Sequence, residues 1–153
     1  MRYAVGCDHA GFPLKEPLVA ELEARGHDVL DLGTSGFAAV DYPVFAVKVA
    51  QTIVGGRADM GLLICGTGLG MAITANKVEG IRAVSVSDAF SARMARAHND
   101  ANVLCVGARV VGPGMAVDIL RAWLGTEFEG GRHQRRVEMI MDAAGCMEQA
   151  FGE

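Results

Sequence analysis

The stretch Met60-Gly61-Leu62-Leu63-Ile64-Cys65-Gly66-Thr67-Gly68-Leu69-Gly70-Met71 leaves this chain few ways to fold. A short apolar run such as Met60 to Ile64 suits a strand buried on both faces, as in a parallel sheet. Ala72-Ile73-Thr74-Ala75-Asn76-Lys77 reads as the opening of a helix, so the glycines at 66, 68 and 70 turn the chain between strand and helix. Glycine permits positive φ and close approach of a ligand, and the unpaired N–H groups of a helix start then face that ligand. Such a loop is an anion cradle. Cys65 stands at its lip, where N–H groups that favour negative charge raise the thiolate fraction of a thiol. A reactive sulfur beside an oxyanion cradle points to catalysis. The plainer alternative is a strand-end cysteine packed as a small hydrophobe; Thr67 and the three glycines favour chemistry.

The same alternation recurs on both sides. Arg2 to Cys7 is strand-like, and Leu14, Leu18 and Leu22 follow at helical spacing up to Gly26. Pro13 and Pro17 predict a late start for that helix, with both in or before its first turn. Val29 to Leu32 is a second strand, and Phe45, Val49 and Ile53 mark a helix from Asp41 to Gly55-Gly56. Ile81 to Val86 and Asn102 to Val106 are strand candidates flanking a helix over Asp88 to Ala97, with Asp88 as its N-cap. Pro113-Gly114 precedes a helix carrying Met115, Ile119, Leu120 and Trp123, which Gly125 stops. A last helix is predicted from Arg132 to Gln149, after a flexible Glu129-Gly130-Gly131, with Val137, Ile140, Met141, Ala144 and Met147 as one stripe. This pattern predicts a three-layer α/β/α, doubly wound, Rossmann-like fold with a five-stranded parallel sheet, one domain over residues 1–153. Ligands in such folds gather at the carboxyl ends of the strands, which brings Cys7-Asp8-His9, Cys65-Gly66-Thr67 and Gly107-Ala108-Arg109 to one rim.

Composition narrows the partners. A 51% hydrophobic content beside 21% charged residues leaves an apolar surplus to bury between subunits, so a homo-oligomer is expected, with the terminal helix on the partner. A net charge of −4 argues against nucleic acid and acidic membrane surfaces, and leaves a small molecule. The immediate entry into a strand leaves no room for a signal segment and no run is long enough to span a membrane, so a cytoplasmic protein is expected. Cys7, Cys65, Cys105 and Cys146 show no close pairing, which fits reduced thiols and indicates no zinc site. The glycine loop is not the dinucleotide fingerprint, because Met71 stands where the third glycine belongs, and no P-loop lysine motif exists.

Several polar groups remain. Arg132 and Arg136 lie one helical turn apart, suited to a phosphate or carboxylate or simply a solvated basic turn; His133 and Arg135 sit beside them. His98-Asn99-Asp100 follows the fourth helix, as a helix stop or as a proton-transfer imidazole with polar neighbours. His9 beside Asp8 offers the same choice.

These residues compose a pattern that resembles a known family. Gly6-Cys7-Asp8-His9-Ala10-Gly11, Asp41-Tyr42-Pro43, Ile64-Cys65-Gly66-Thr67-Gly68-x-Gly70, Ala75-Asn76-Lys77, Gly80-Ile81-Arg82-Ala83, His98-Asn99-Asp100-x-Asn102-Val103-Leu104, Gly107-x-Arg109-Val110 and Gly130-Gly131-Arg132-His133-Gln134-x-Arg136 resemble, in order and over nearly the whole chain, the B-type ribose-5-phosphate isomerases, with their galactose-6-phosphate and allose-6-phosphate relatives. The resemblance implies an aldose–ketose isomerase of a sugar phosphate, needing no metal or organic cofactor, and a homodimer or dimer of dimers with active sites between subunits. It implies Cys65 as the proton-transfer base, Thr67 with the N–H groups of Gly66, Gly68, Leu69 and Gly70 as the anion hole, and His98 as the ring-opening residue. Asp8, His9, Tyr42, Asn99, Arg109, Arg132 and Arg136 fall to substrate, some from the other subunit. A five-carbon sugar is the first expectation and a six- or four-carbon sugar the second; a silent phosphosugar-binding subunit would need the arginines but not the thiol.

Overall fold

The computed structural model describes residues 1–151 and realises the alternation as five strands and seven helices. In chain order these are β1 Arg2–Cys7, α1 Phe12–Ala24, β2 Asp28–Asp31, α2 Tyr42–Val54, β3 Met60–Cys65, α3 Leu69–Ala75, β4 Ala83–Ser85, α4 Ala89–Asn99, β5 Val103–Gly107, α5 Pro113–Leu124, α6 Arg132–Met141 and α7 Ala143–Phe151. All strand pairs are parallel, in the order β2-β1-β3-β5-β4, so the chain reverses direction across the sheet between β1 and β3. That crevice is the topological switch point of the fold.

Alternating side chains of β3 feed two cores. Leu62 and Ile64 pack with Leu14, Leu18 and Leu22 of α1 and with Ile119, Leu120 and Trp123 of α5. Leu63 and Cys65 face Val49 of α2 and Met71 and Ala75 of α3. Cys65 thus points to the α2/α3 layer at the carboxyl end of the central strand, with Gly107 of β5 as its register partner.

Several elements differ from the sequence expectation. Helix α1 does not start late: Pro13 lies in its first turn and Pro17 lies inside it. An interior proline costs about 3 kcal/mol, whereas three buried leucines return about 1.5–3 kcal/mol each, so packing wins. Helix α3 begins at Leu69 rather than Ala72, because Gly68 takes a left-handed φ of 80° and starts the helix inside the loop. Strand β4 shrinks to three residues, since Asn102 Oδ1 accepts from Arg82 N at 2.8 Å, and the Asn76 amide brackets Ala83 with bonds of 2.7 and 2.8 Å. Those side chains occupy backbone groups that an open sheet edge would otherwise leave unpaired. The terminal stripe is broken as well: Asp142 stops α6, and its carboxylate accepts the Gly145 N–H at 3.0 Å to start α7. Only Val137 of the five stripe residues is buried; Ile140, Met141 and Met147 are exposed, and α7 buries nothing within the chain. Among the described residues no helix is long and apolar enough to cross a membrane.

Candidate active site

Three loops close on one another at the carboxyl rim. Asp8 N donates to Ile64 O at 3.2 Å, and the Asp8 carboxylate accepts Gly11 N at 2.8 Å, which turns the chain directly across the end of β3. Any Cβ at Gly11 would run into the Ile64 carbonyl. On the other side, Ala108 N donates to Cys65 O at 2.8 Å and Arg109 N to Gly66 O at 3.0 Å. A Cβ at Gly107 would meet the Thr67 backbone at 2.6 Å, so this seam requires glycine. The register then lays the Arg109 side chain over Gly66, where an added Cβ would stand 3.6 Å from its guanidinium nitrogens. The Tyr42 ring covers Gly70 in the same way, at 2.6 Å from a Cβ built there.

Within this frame the buried Cys65 Sγ receives the Gly68 N–H at 3.1 Å. Leu69 N reaches Thr67 Oγ1 at 3.4 Å, while no bond among the described residues uses the N–H of Gly66, Thr67, Gly70 or Met71. Unpartnered N–H groups at a helix start suit an oxyanion. Elsewhere in the sheet, burial pushes the Cys7 thiol up to about 11 and also raises that of Cys105. His9 Nδ1 accepts the Val40 N–H at 3.2 Å, tying the 33–41 loop to the rim and leaving Nε2 to carry the proton. The rim therefore unites Asp8, His9, Tyr42, Cys65, Gly66, Thr67, Gly68, Leu69, Gly70 and Arg109.

His98, Asn99, Arg132 and Arg136 are not there. Helix α4 runs back against the strands, so its last turn lies by the start of β5, about 13 Å of strand away from the rim at Gly107. His98 and Asn99 belong to that last turn, not to the segment after it, and Asp100 caps it at φ 44°. Asp100 is held between Arg96 (2.8 Å) and Arg82 (3.0 Å). Glu129 N donates to Ala97 O at 3.0 Å, and Gly130 and Gly131 (φ 63° and 54°) turn the chain into α6. His133 then lies flat on His98, ring centroids 4.1 Å apart and planes 5° from parallel. Glu129 Oε2 is 3.9 Å from His98 Nε2 and 3.6 Å from His133 Nε2, and Arg132 Nε donates to His133 Nε2 at 3.4 Å. Arg136 faces Met139, Ile140 and Cys146, while Asn99 lines a cavity of about 480 Å³ with Arg82, Ile140 and Met141.

The sequence placed His133 only as a neighbour of Arg132 and Arg136, and Glu129 only in a flexible hinge; neither received a role, although Glu129-x-x-x-His133 is a visible i,i+4 pair. One ligand atom each from His98, Glu129 and His133 lies within 4.8 Å of the others, close enough to ask about a metal. The arrangement does not fit one. A metal sits about 2 Å from each imidazole nitrogen and in its ring plane, parallel stacked rings share no such point, and a guanidinium already faces His133 Nε2.

Fold and rim define a class: a doubly wound α/β protein with a thiol and an amide cradle at its switch point. The Ribose/Galactose Isomerase family matches residues 3–140, and the chain belongs to that family. It is 54% identical over 139 residues to ribose-5-phosphate isomerase B of Escherichia coli, covering 91% of this chain and 93% of that one. It is 44% identical to D-erythrulose-4-phosphate isomerase of Pectobacterium atrosepticum, over 90% and 91% of the two chains. The solved ribose-5-phosphate isomerase B of Clostridium thermocellum superposes with a TM-score of 0.92 at 48% identity, covering 96% of this chain and 99% of that one.

Proposed function

We propose that this protein interconverts ribose 5-phosphate and ribulose 5-phosphate, through an enediolate and without a cofactor. The observation that carries the reading is Cys65 Sγ beneath the Gly68 N–H at the centre of a rim with unpaired amides and a guanidinium. Cys65 takes the C2 proton of the open aldose; the electron pair forms the C1–C2 double bond, and the carbonyl oxygen takes up the charge. Amides of Gly66, Thr67 and Gly70 stabilise that oxygen, since preorganised donors act on charge as it develops. Return of the proton from sulfur to C1, with transfer of the O2 proton to O1, completes the ketose. Arg109 and His9 Nε2 offer cationic and N–H partners to the phosphate.

Cyclic ribose 5-phosphate must first open, which needs the anomeric hydroxyl proton moved to the ring oxygen as the C1–O4 bond breaks. An imidazole suits that transfer, and His98 is the assigned one. Because one chain holds Cys65 and His98 on opposite rims, a second copy must bring His98, Asn99, Arg132 and Arg136 to the first copy's Cys65. A homodimer, or a dimer of two such dimers, is therefore part of the proposal; the apolar Ile140, Met141 and Met147, exposed in the single chain, support it. The four free thiols fit a cytoplasmic setting.

Initial rates with ribose 5-phosphate beside allose 6-phosphate, galactose 6-phosphate and erythrose 4-phosphate test the reading. Ribose 5-phosphate should have the largest kcat/KM, and no turnover of it would refute the proposal. Similarity to the Pectobacterium enzyme favours a second reading, a four-carbon substrate, and a tenfold preference for erythrose 4-phosphate would select it.

A further inference from the structure

His133 has no part in the reaction described so far, yet it is the more enclosed of the two stacked imidazoles, its side chain 8% exposed against 36% for that of His98. Arg132 Nε donates to its Nε2, so that nitrogen keeps its lone pair and the ring is uncharged. Burial first, then the charges of His98, Arg132 and Arg136, hold its pKa below the usual imidazole range, with Glu129 acting the other way. These groups, from α4, α6 and the segment between α5 and α6, are the charged neighbours of the pair.

We propose that His133 is a positioning residue for His98: its neutral ring, laid flat on the His98 face, fixes the plane in which His98 presents a nitrogen to the sugar. The inference rests on the assignment of ring opening to His98. An imidazole in the last turn of a helix, about one-third exposed, has several side-chain rotamers open to it. Proton transfer works only where the nitrogen lone pair lies within hydrogen-bond reach and in line. A stacked ring restricts the rotation about χ2 that would turn the nitrogen away, and an uncharged one adds no repulsion when His98 takes the proton. The chain spends two consecutive positive-φ glycines, Gly130 and Gly131, to deliver it there. The role differs from substrate contact, because it needs the flat ring and not its nitrogens.

The experiment compares His133→Phe, which keeps a flat ring without titratable nitrogens, with His133→Leu, which keeps bulk and loses the plane. On ribose 5-phosphate, His133→Leu should lower kcat about tenfold or more while KM stays within about twofold, and His133→Phe should stay within about threefold of wild type. Both should spare erythrose 4-phosphate, which has no ring to open. The upfield ring-current shift of the His98 carbon-bound protons in NMR should survive in His133→Phe and vanish in His133→Leu, whatever the activity. If Leu does not fold by circular dichroism, His133→Asn takes its place. Equal losses in the two variants would assign the role to the imidazole nitrogens and overturn the proposal, as would full turnover in His133→Leu. An active wild type without the upfield shift sinks the stack and leaves the isomerase reading; an inactive wild type with the shift sinks that reading and leaves a stack with no ring to open.

Discussion

The two rims of the sheet hold functional groups by different means. At the carboxyl rim, backbone packs on backbone at Gly11 and Gly107, and side chains fold over bare glycines at Gly66 and Gly70. At the amino rim, side chains do the holding: Asp100 between Arg82 and Arg96, and His133 on His98. The first rim has the thiol and the amides but a single guanidinium near them; the second has imidazoles and guanidiniums but no cradle. The Cys65 thiol of the first and the His98 imidazole of the second stand on opposite rims, which is why the proposed reaction is assigned to a site shared by two copies.

The largest difference between the rims lies at Cys65. Cys65→Ala should reduce kcat by about a thousandfold or more while ribose 5-phosphate still binds, because the cradle and Arg109 remain. Calorimetric titration with turnover near wild type would remove the thiol from the mechanism. His98→Asn comes next, with a loss of about a hundredfold on ribose 5-phosphate and little on erythrose 4-phosphate. Equal loss on both would move His98 from ring opening to isomerisation or to the interface. Gly107→Ala probes the backbone seam and should cost about 1–3 kcal/mol in urea unfolding, since its Cβ meets the Thr67 main chain. A stability unchanged within about 0.5 kcal/mol would show that the loop yields freely.

A smaller effect separates the rims by pH. Burial lowers the pKa of both His27 and His133, so the unfolded chain binds more protons than the folded one as pH drops through the ordinary imidazole range. Stability should therefore be full above about pH 7 and decline toward pH 5. Glu21, held to about 2 by Arg121 and Arg25, and Asp88, lowered by the Ser91 N–H, contribute stability that is lost only at more acidic pH. Tm measured from pH 8 to 5 should fall, and fall less in His133→Phe; a Tm that rises on acidification would contradict the assignment of neutral imidazoles at His27 and His133.

Legibility in the sequence follows the same division. Glycines and apolar runs write backbone structure directly, so the five strands, the Asp88 cap and the meeting of Cys65, Asp8 and Arg109 on one rim could be read from residues 2–109. The Asp88 carboxylate does accept Ser91 N, at 2.7 Å. Pro17 misled because a local rule about helix interiors yields to three buried leucines. Asp142 misled because a hydrophobic period of 3.6 runs unbroken through a residue whose side chain ends one helix and starts another. The meeting of Glu129 and His133 with His98 stayed hidden because it depends on where Gly130 and Gly131 send the chain, a tertiary outcome.

The central claim is that Cys65 of one copy works with His98 of another, and mixing two damaged enzymes tests it most directly. Cys65→Ala and His98→Asn, each nearly inactive on ribose 5-phosphate alone, are combined, dissociated and reassembled, with heterodimers counted by native mass spectrometry. Half the dimers are then mixed, and in each mixed dimer one site carries both lesions while the other carries neither. Activity should return to about a quarter of wild type. Mixed dimers that form in that proportion and stay as inactive as their parents would contradict the shared site, and would place Cys65 and His98 in the service of the same chain.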